Sequence, residues 1–387
     1  MSSPASSNTA VTSVTTAVAT TAANVATTTS LIIPGLVWPV QALADLTQGL
    51  PLPALTRLLG SGTLSLKPTI SADNAIAQHL GLPHDCAGAA LRREALGLGL
   101  GLNAQGNTNE QWICLDPVNL GFVERRMLVG DPQELSLTRV EAEALAASIG
   151  PVVSALGVIE VATPHQWHLR LAPGGTVPAT EALSSVIAKR ADASLAALDS
   201  RWQQALNDAQ IELHSHPVNK AREGAGRPTV NSLWPWGGAP LPARPKISTK
   251  STSPQYPPPV TLYANAPEHR GLAAYLNLPG APVAECWSRT LAAPALFVLD
   301  SLALPARRAD ANRWREALIL MEQSWFAPLL ADLEQGHIKH LRIEFIGAPH
   351  GWTLSVSRMQ LRLARLAFWH TPQGIAQLAL TVQNPSP

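Results

Sequence analysis

Residues 295–300 read ALFVLD, an unbroken apolar run that ends on a carboxylate. A strand buried on both faces, as in the middle of a parallel sheet, lacks polar alternation, so this run sets the fold class. C-terminal to it, Trp314, Leu318, Met321, Trp325 and Leu329 recur at helical spacing from about residue 310, and Gly336 closes the helix. Leu341, Ile343 and Phe345 then alternate with Arg342 and Glu344 as another strand. N-terminal to it, residues 31–40 (LIIPGLVWPV) read as a buried strand that delivers a loop, and residues 52–62 and 74–80 as short helices. Strand and helix alternate on both sides of an intervening segment. The pattern predicts an α/β chain: a mainly parallel sheet flanked by helices, with an inserted smaller α+β domain.

Within the insert, Thr138 and Glu141 form a capping box ahead of Val140, Ala144, Leu145 and Ile149, which predicts a helix. A strand is expected at residues 112–115, after a glycine- and asparagine-rich loop. Residues 166–171 (QWHLRL) alternate like a second, with Trp167, Leu169 and Leu171 opposite His168 and Arg170; His165 and His168 are expected at the surface. The division is a disordered Ala/Thr/Ser tail (1–30), a first part of the core (31–110), the insert (111–238), a Pro-rich linker (239–260) and a second part of the core (261–387).

A chain of 387 residues is long enough for two domains. Its net charge of +1 and 14% charged residues supply no basic field, so nucleic-acid binding is not expected. No apolar run reaches the length of a membrane span, and the tail lacks the basic start and apolar core of a secretory signal. Cys86, Cys114 and Cys286 have no CxxC spacing, so neither a zinc knuckle nor a disulfide framework is implied, and a cytoplasmic setting is expected.

Chemistry-bearing side chains crowd into residues 211–238, IELHSHPVNKAREGAGRPTVNSLWPWGG. Gln210, Glu212, His214 and His216 alternate with Ile211, Leu213 and Ser215 as on one face of a strand, which Pro217 would end. Asn219, Lys220, Arg222 and Arg227 follow among Gly224, Gly226 and Pro228, placing cationic forks on a turn. An anionic small molecule is the ligand such a turn suits. The competing reading is structural: Asn219 and Asn231 satisfy turn backbones, and the arginines pair with Glu212 and Glu223. Arg307, Arg308, Arg313 and Arg315 at the start of the long helix form either a solvated face or a surface for an acidic protein partner.

The segment HPVNKAREGAGRPTVNSLWPWGG resembles a stretch of archaeal-type cofactor-independent phosphoglycerate mutases, in which H-P-x-N precedes an Arg, a Gly, an Asn and an apolar run closing in Gly. It is more similar still to the bacterial RpfE-type regulatory proteins, often labelled phosphoglycerate mutase. Residues 261–280 (TLYANAPEHRGLAAYLNLPG) look like the mutase segment in which a strand leads into an R/K-G turn and helix, and residues 52–62 resemble a helix near the start of alkaline-phosphatase-superfamily chains. The resemblance implies an alkaline-phosphatase-like fold, and that Arg170, His216, Asn219, Arg222 and Asn231 lie near a substrate cleft.

Those mutases use two divalent metals and a serine nucleophile, and the matching positions here depart from that set. Their D-G-x-G-D loop falls on Pro34, Gly35, Leu36, Val37 and Trp38; their G-S-D motif falls on Ser71, Ala72 and Asp73, leaving Ser71 one residue out of register. Their histidine- and carboxylate-rich stretch after the central strand falls on residues 300–309, which keep Asp300 but no histidine, and of their D-H-x-T motif only His350 remains. Ser71 and Asp73 are thus the residual catalytic candidates, and Asp300 and His350 the residual metal candidates. The expectation is a phosphoglycerate-mutase-like protein without bound metal or other cofactor, acting in binding or regulation and not in catalysis. The alternative is residual metal-dependent mutase or phosphatase activity.

Overall fold

The computed structural model describes residues 28–38, 40–68, 70–82, 88–100, 110–123, 126–241, 261–291, 294–347, 350–366 and 374–375. The expected linker lies outside them except for residues 239–241, as does the tail before Thr28. Thr28, Thr29 and Ser30, assigned to that tail from composition, instead form the first rungs of strand β1. They pair with His340, Leu341 and Arg342 on the neighbouring strand.

The strands are β1 (Thr28–Val37), β2 (Thr63–Pro68), β3 (Trp112–Val118), β4 (Leu120–Val123), β5 (Arg126–Val129), β6 (Gly157–Thr163), β7 (Gln166–Leu171), β8 (Ser232–Trp236), β9 (Thr261–Tyr263), β10 (Gly280–Ala281), β11 (Ala295–Val298), β12 (His340–Gly347) and β13 (His350–Ser357). The larger sheet runs β10-β9-β11-β1-β12-β13-β2; its first five strands are parallel, and β13 is antiparallel to both neighbours. This is the mainly parallel α/β sheet expected from the ALFVLD run.

The helices are α1 (Val40–Thr47), α2 (Pro53–Ser61), α3 (Ala72–His79), α4 (Gly88–Ala95), α5 (Pro132–Leu135), α6 (Arg139–Ile149), α7 (Leu183–Val186), α8 (Asp192–Ala196), α9 (Ser200–Ser215), α10 (Pro217–Gly224), α11 (Pro267–Tyr275), α12 (Ala303–Arg307), α13 (Ala311–Met321), α14 (Ala327–Gln335) and α15 (Arg358–Leu366). Alternation along β1 divides the core of the large sheet. Leu31 and Ile33 join Phe297, Ile343 and Phe345 against Leu55, Leu58, Trp314, Leu318 and Leu329 of α2, α13 and α14. Ile32 joins Leu262, Leu296 and Val298 on the opposite face, against Ile76 of α3 and Leu272 of α11.

A π-helical turn, Glu322–Phe326, joins α13 to α14. Pro328 has no amide hydrogen, so the Ser324 carbonyl one turn earlier lacks its helical partner and accepts from the Trp287 amide at 2.8 Å instead. The same turn carries Glu322, whose carboxylate accepts from the amides of Ala54 and Leu55 at 2.6 and 3.1 Å. Leu52 provides no side-chain cap there, so a residue 268 positions away caps α2.

Residues 112–236 hold a second sheet, β6-β7-β3-β8, antiparallel throughout. One face buries Ile113, Leu115, Trp167 and Leu169 against Leu145 and Ile149 of α6 and Trp202 and Leu206 of α9. The Thr138–Glu141 capping box starts α6 as expected. The alternation at residues 210–216 does not form a strand; it is the last turn of α9. Trp202, Ala205, Leu206, Ala209 and Leu213 are the buried stripe, and the Asp199 carboxylate caps the helix by accepting from the Trp202 amide. A seven-residue window read as period two, whereas the sixteen-residue helix shows its period only over its full length.

Helix α4 joins the two sheets. On one side it packs against α11 so closely that a Cβ on Gly271 would lie 1.7 Å from the Leu91 carbonyl oxygen, which only glycine permits. On the other side it inserts Arg92 into the second sheet. Arg92 Nε donates to His168 Nε2 at 3.1 Å, Nη1 to Asp116 Oδ2 at 2.8 Å and Nη2 to the Trp167 carbonyl at 2.6 Å. Its guanidinium lies 5.4 Å from the Trp236 ring centroid. Arg93 pairs with Glu160 at 2.7 Å and stacks over Trp112.

His168, expected at the surface, is fully buried in this cluster. Strand alternation fixes only which side of the sheet a residue faces, and here the second side is covered by α4. Burial, aided by the charges of Arg92 and Arg93, pushes the His168 imidazole down to about 2. An unfolded histidine titrates near 6.5, so between the two values the unfolded chain binds one proton more than the folded chain. The stabilisation is therefore complete above pH 6.5 and is lost as pH falls. His168 should take about 1 kcal/mol from folding stability between pH 6 and pH 5, and His168→Gln should flatten the slope by that amount. Urea midpoints at the two pH values, with and without the substitution, check this; equal slopes would refute it.

Candidate functional site

The parallel strands of the large sheet all end on one side, and their ends build a cleft facing the second sheet. The end of β1 contributes Pro34 and Gly35, where pairing with β12 shifts register before Val37. Gly35 adopts φ +83, and a Cβ there would meet the Leu302 carbonyl oxygen at 2.6 Å. Strand β11 leads to Asp300, β12 to Ile346 and Gly347, and β9 to Glu268 and His269 in the first turn of α11. Ser71 caps α3 by accepting from the Asn74 amide at 3.1 Å, which sets Asp73 in the first turn beside it. With Glu181, Ser184, Ser185 and Lys189 from the second body and Arg307 from α12, these residues wall a cavity of about 720 Å³.

In the cleft Asp73 Oδ1 meets His269 Nε2 at 2.6 Å. Burial works against charge on both groups, yet the hydrogen bond and mutual attraction prevail: the Asp73 carboxyl is lowered and the His269 imidazole raised, with Glu268 and Asp300 adding to the latter. The two form an ion pair. Burial raises the adjacent Glu268 carboxyl despite His269 and Arg92 nearby. Asp300 accepts from Asn265 Nδ2 at 3.2 Å. Across the cleft Arg307 donates to the Ser184 carbonyl, while its buried Nε has no partner among the described residues. Arg308 pairs with Glu134 and Arg313 with Asp310, and Arg315 donates to the carbonyls of Leu46 and Gln48. Arg307, Arg308 and Arg315 thus tie α12 and α13 to neighbouring segments, while Arg313 is exposed and pairs only with the cap of its own helix, as on a solvated face.

Of the residues singled out in the sequence, Ser71, Asp73 and Asp300 come together in this cleft. His350 does not; it opens β13 in register with Pro68 of β2 and is not among the cleft-lining residues. The candidates of residues 211–238 are not among the residues that wall it, and all but His214 spend their polar atoms on the protein's own backbone and side chains. His214 is exposed in the last turn of α9, and His216 caps α10 by accepting from the Val218 amide at 3.2 Å. Asn219 Nδ2 donates to the carbonyls of Leu213 and Val230, both at 2.7 Å, and its Oδ1 accepts from the Val230 amide. Asn231 holds the amide and carbonyl of Leu120 at 2.7 and 3.0 Å.

Arg222 is fully buried and donates to the carbonyls of Pro228 and Leu135 and to Glu141. Arg227 also pairs with Glu141, so the acidic partner of both arginines is the capping-box glutamate, not the expected Glu212 and Glu223. Arg170 forms an exposed ion pair with Glu110 at 2.8 Å, on the rim of a different depression.

Glu268, His269 and Lys189 were not picked out in the sequence, and Arg307 was picked out only as one of the arginines at the start of the long helix. For the first two a signal exists: in YANAPEHRG a proline starts a helix after a short apolar strand, so the next two residues stand at a parallel strand's carboxyl end. For Lys189 no local pattern exists, and the arginine run that marks Arg307 does not point to the cleft. Among the described residues, no group of three or more His, Cys, Asp and Glu side chains is arranged to hold a metal ion. No described helix is long and apolar enough to cross a membrane.

No protein-family model matches the chain, and no curated protein matches it. Among solved structures, the chain is similar to the PH0037 protein of Pyrococcus horikoshii, with a TM-score of 0.49 and 13% identity, over 86% of this chain and 87% of that one. It is also similar to a cofactor-independent phosphoglycerate mutase from Thermoplasma acidophilum, with a TM-score of 0.41 and 15% identity, over 91% of this chain and 94% of that one.

Proposed function

We propose that this chain is a phosphoglycerate-mutase-like protein of the alkaline-phosphatase type, akin to the RpfE-type regulatory proteins, that binds a small anionic molecule in the strand-end cleft without turning it over. The observation that carries the reading is the end of β1. Its Pro34, Gly35, Val37 and Trp38 wall the cleft where the resemblance calls for a carboxylate-bearing loop, and they offer no side-chain oxygen to a cation. Asp73 is already committed to His269 and Asp300 to Asn265, so the residues present do not fit a two-cation centre. Lys189 and Arg307 are the cations left to meet an anion, with the Ser184 and Ser185 hydroxyls beside them.

Addition of 3-phosphoglycerate at about a hundred times its dissociation constant should stabilise the fold by about 2.7 kcal/mol, read as a rise in Tm. No conversion to 2-phosphoglycerate should accompany it, with or without magnesium or manganese. Metal-dependent conversion by purified protein would refute the reading. A second reading, residual metal-dependent mutase or phosphatase activity, is favoured by the meeting of Ser71, Asp73 and Asp300 in one cavity. Stoichiometric bound metal together with turnover would establish it instead.

A further inference from the structure

The cleft has a second lobe. Beyond Ser71, Asp73, Glu268 and His269 the space continues between the two sheets as a further cavity of about 620 Å³, which shares those four residues and Asn74, Glu181 and Ser185 with the first. No Lys or Arg among the described residues lines it; the buried apolar side chains of Ile76, Leu91, Pro178, Trp236 and Leu272 stand beside Asn74, Thr180, Glu181 and Ser185, and Val177 in its wall is exposed. Trp236 Nε1 is held by Asp116 Oδ2 at 2.8 Å, so the indole keeps its only donor bonded within the protein. Gly88 brings the chain close to that ring, and Gly237 lies against the backbone of Gly88 and Ala89. A Cβ on Gly88 would lie 2.7 Å from Trp236 Cζ3, and Gly237 adopts φ +73. Cavities of roughly 300–1,000 Å³ hold drug-sized ligands, and each lobe alone falls in that range. A three-carbon phosphorylated acid would occupy one lobe and leave the apolar one unfilled.

We infer that the ligand is an amphiphilic phosphate monoester, its anionic head beside Lys189 and Arg307 and an alkyl or aryl arm in the apolar lobe beyond the Asp73–His269 pair. This inference rests on the anion-binding reading above and adds the chemical class of the arm. An ion pair at the junction of the lobes suits the point where such a molecule changes from polar to apolar. It also accounts for buried apolar walls in the depth of a cleft whose other lobe carries the cations.

Isothermal titration of the full chain with ethyl, butyl and hexyl phosphate, below their aggregation concentrations, tests this. Each added methylene that leaves water should tighten binding about fourfold, so hexyl phosphate should bind on the order of a hundredfold tighter than ethyl phosphate. Val177→Trp, which puts an indole in the wall of the apolar lobe, should abolish that gain. Lys189→Met should weaken all three esters by a similar factor. If the esters bind equally, or if the gain persists in Val177→Trp, the inference is overturned and the anion-binding reading stands. If no ester binds at millimolar concentration while the fold is intact, both fall together.

Discussion

Replacing Arg92 with methionine should destabilise the chain by about 3–5 kcal/mol, the range for breaking a buried ion pair from one side. Methionine keeps most of the apolar stem, so the loss reports on the guanidinium. Three side-chain donors would vanish from His168, Asp116 and the Trp167 carbonyl, all buried. Asp116 would keep the Trp167 amide at 3.1 Å and the Trp236 indole at 2.8 Å but lose its countercharge. A carboxylate that is 1% exposed cannot recover that loss from water. The second replacement Asp116→Asn should return part of the loss, because it removes the stranded charge. Urea unfolding of the two variants measures both steps. A loss below about 1 kcal/mol for Arg92→Met would mean the cluster is solvated and the two sheets are not joined through it.

The place of Arg92 also shows where sequence reading stops. In the run LRREA, two adjacent arginines on a short helix look like a solvated face, and nothing local says otherwise. Arg92 is buried by partners 24, 75 and 76 residues away, and Arg93 meets Glu160, 67 residues away, an arrangement that only the folded sheet assembles. Apolar patterns are different. ALFVLD, the stripe from Trp314 to Leu329 and the Leu341–Ile343–Phe345 alternation state their periodicity within a few residues, and the mainly parallel sheet follows from them. The cleft is intermediate. Ser71, Asp73 and Asp300 were reached through a resemblance. His269, which completes the ion pair, stood inside a quoted segment without being marked, since its partner is 196 positions away.

Arg222→Ala should likewise cost about 3–5 kcal/mol of stability while leaving any ligand affinity of the strand-end cleft unchanged. The guanidinium is the hub of the loop that looked most like a binding site. Its Nε holds the Pro228 carbonyl at 2.8 Å, Nη2 holds the Leu135 carbonyl and Nη1 reaches Glu141 at 3.1 Å. Glu141 is at the same time half of the capping box that starts α6, so the arginine ties α10, its following turn and the head of α6 into one unit. Alanine would leave the buried Leu135 carbonyl without its donor and Glu141 with only the exposed Arg227 for charge. Lysine cannot substitute fully, because a single ammonium does not reproduce the planar fork that reaches three acceptors in different directions. Arg222→Lys should therefore fall between wild type and alanine. Urea midpoints give the stability, and titration of the alanine variant with hexyl phosphate, at a temperature where it remains folded, gives the affinity. If affinity fell with little change in midpoint, Arg222 would be a ligand residue and the loop a site in its own right. If stability alone fell, the crowding of Asn, Arg and His between residues 211 and 238 is the chemistry of a turn that binds its own backbone.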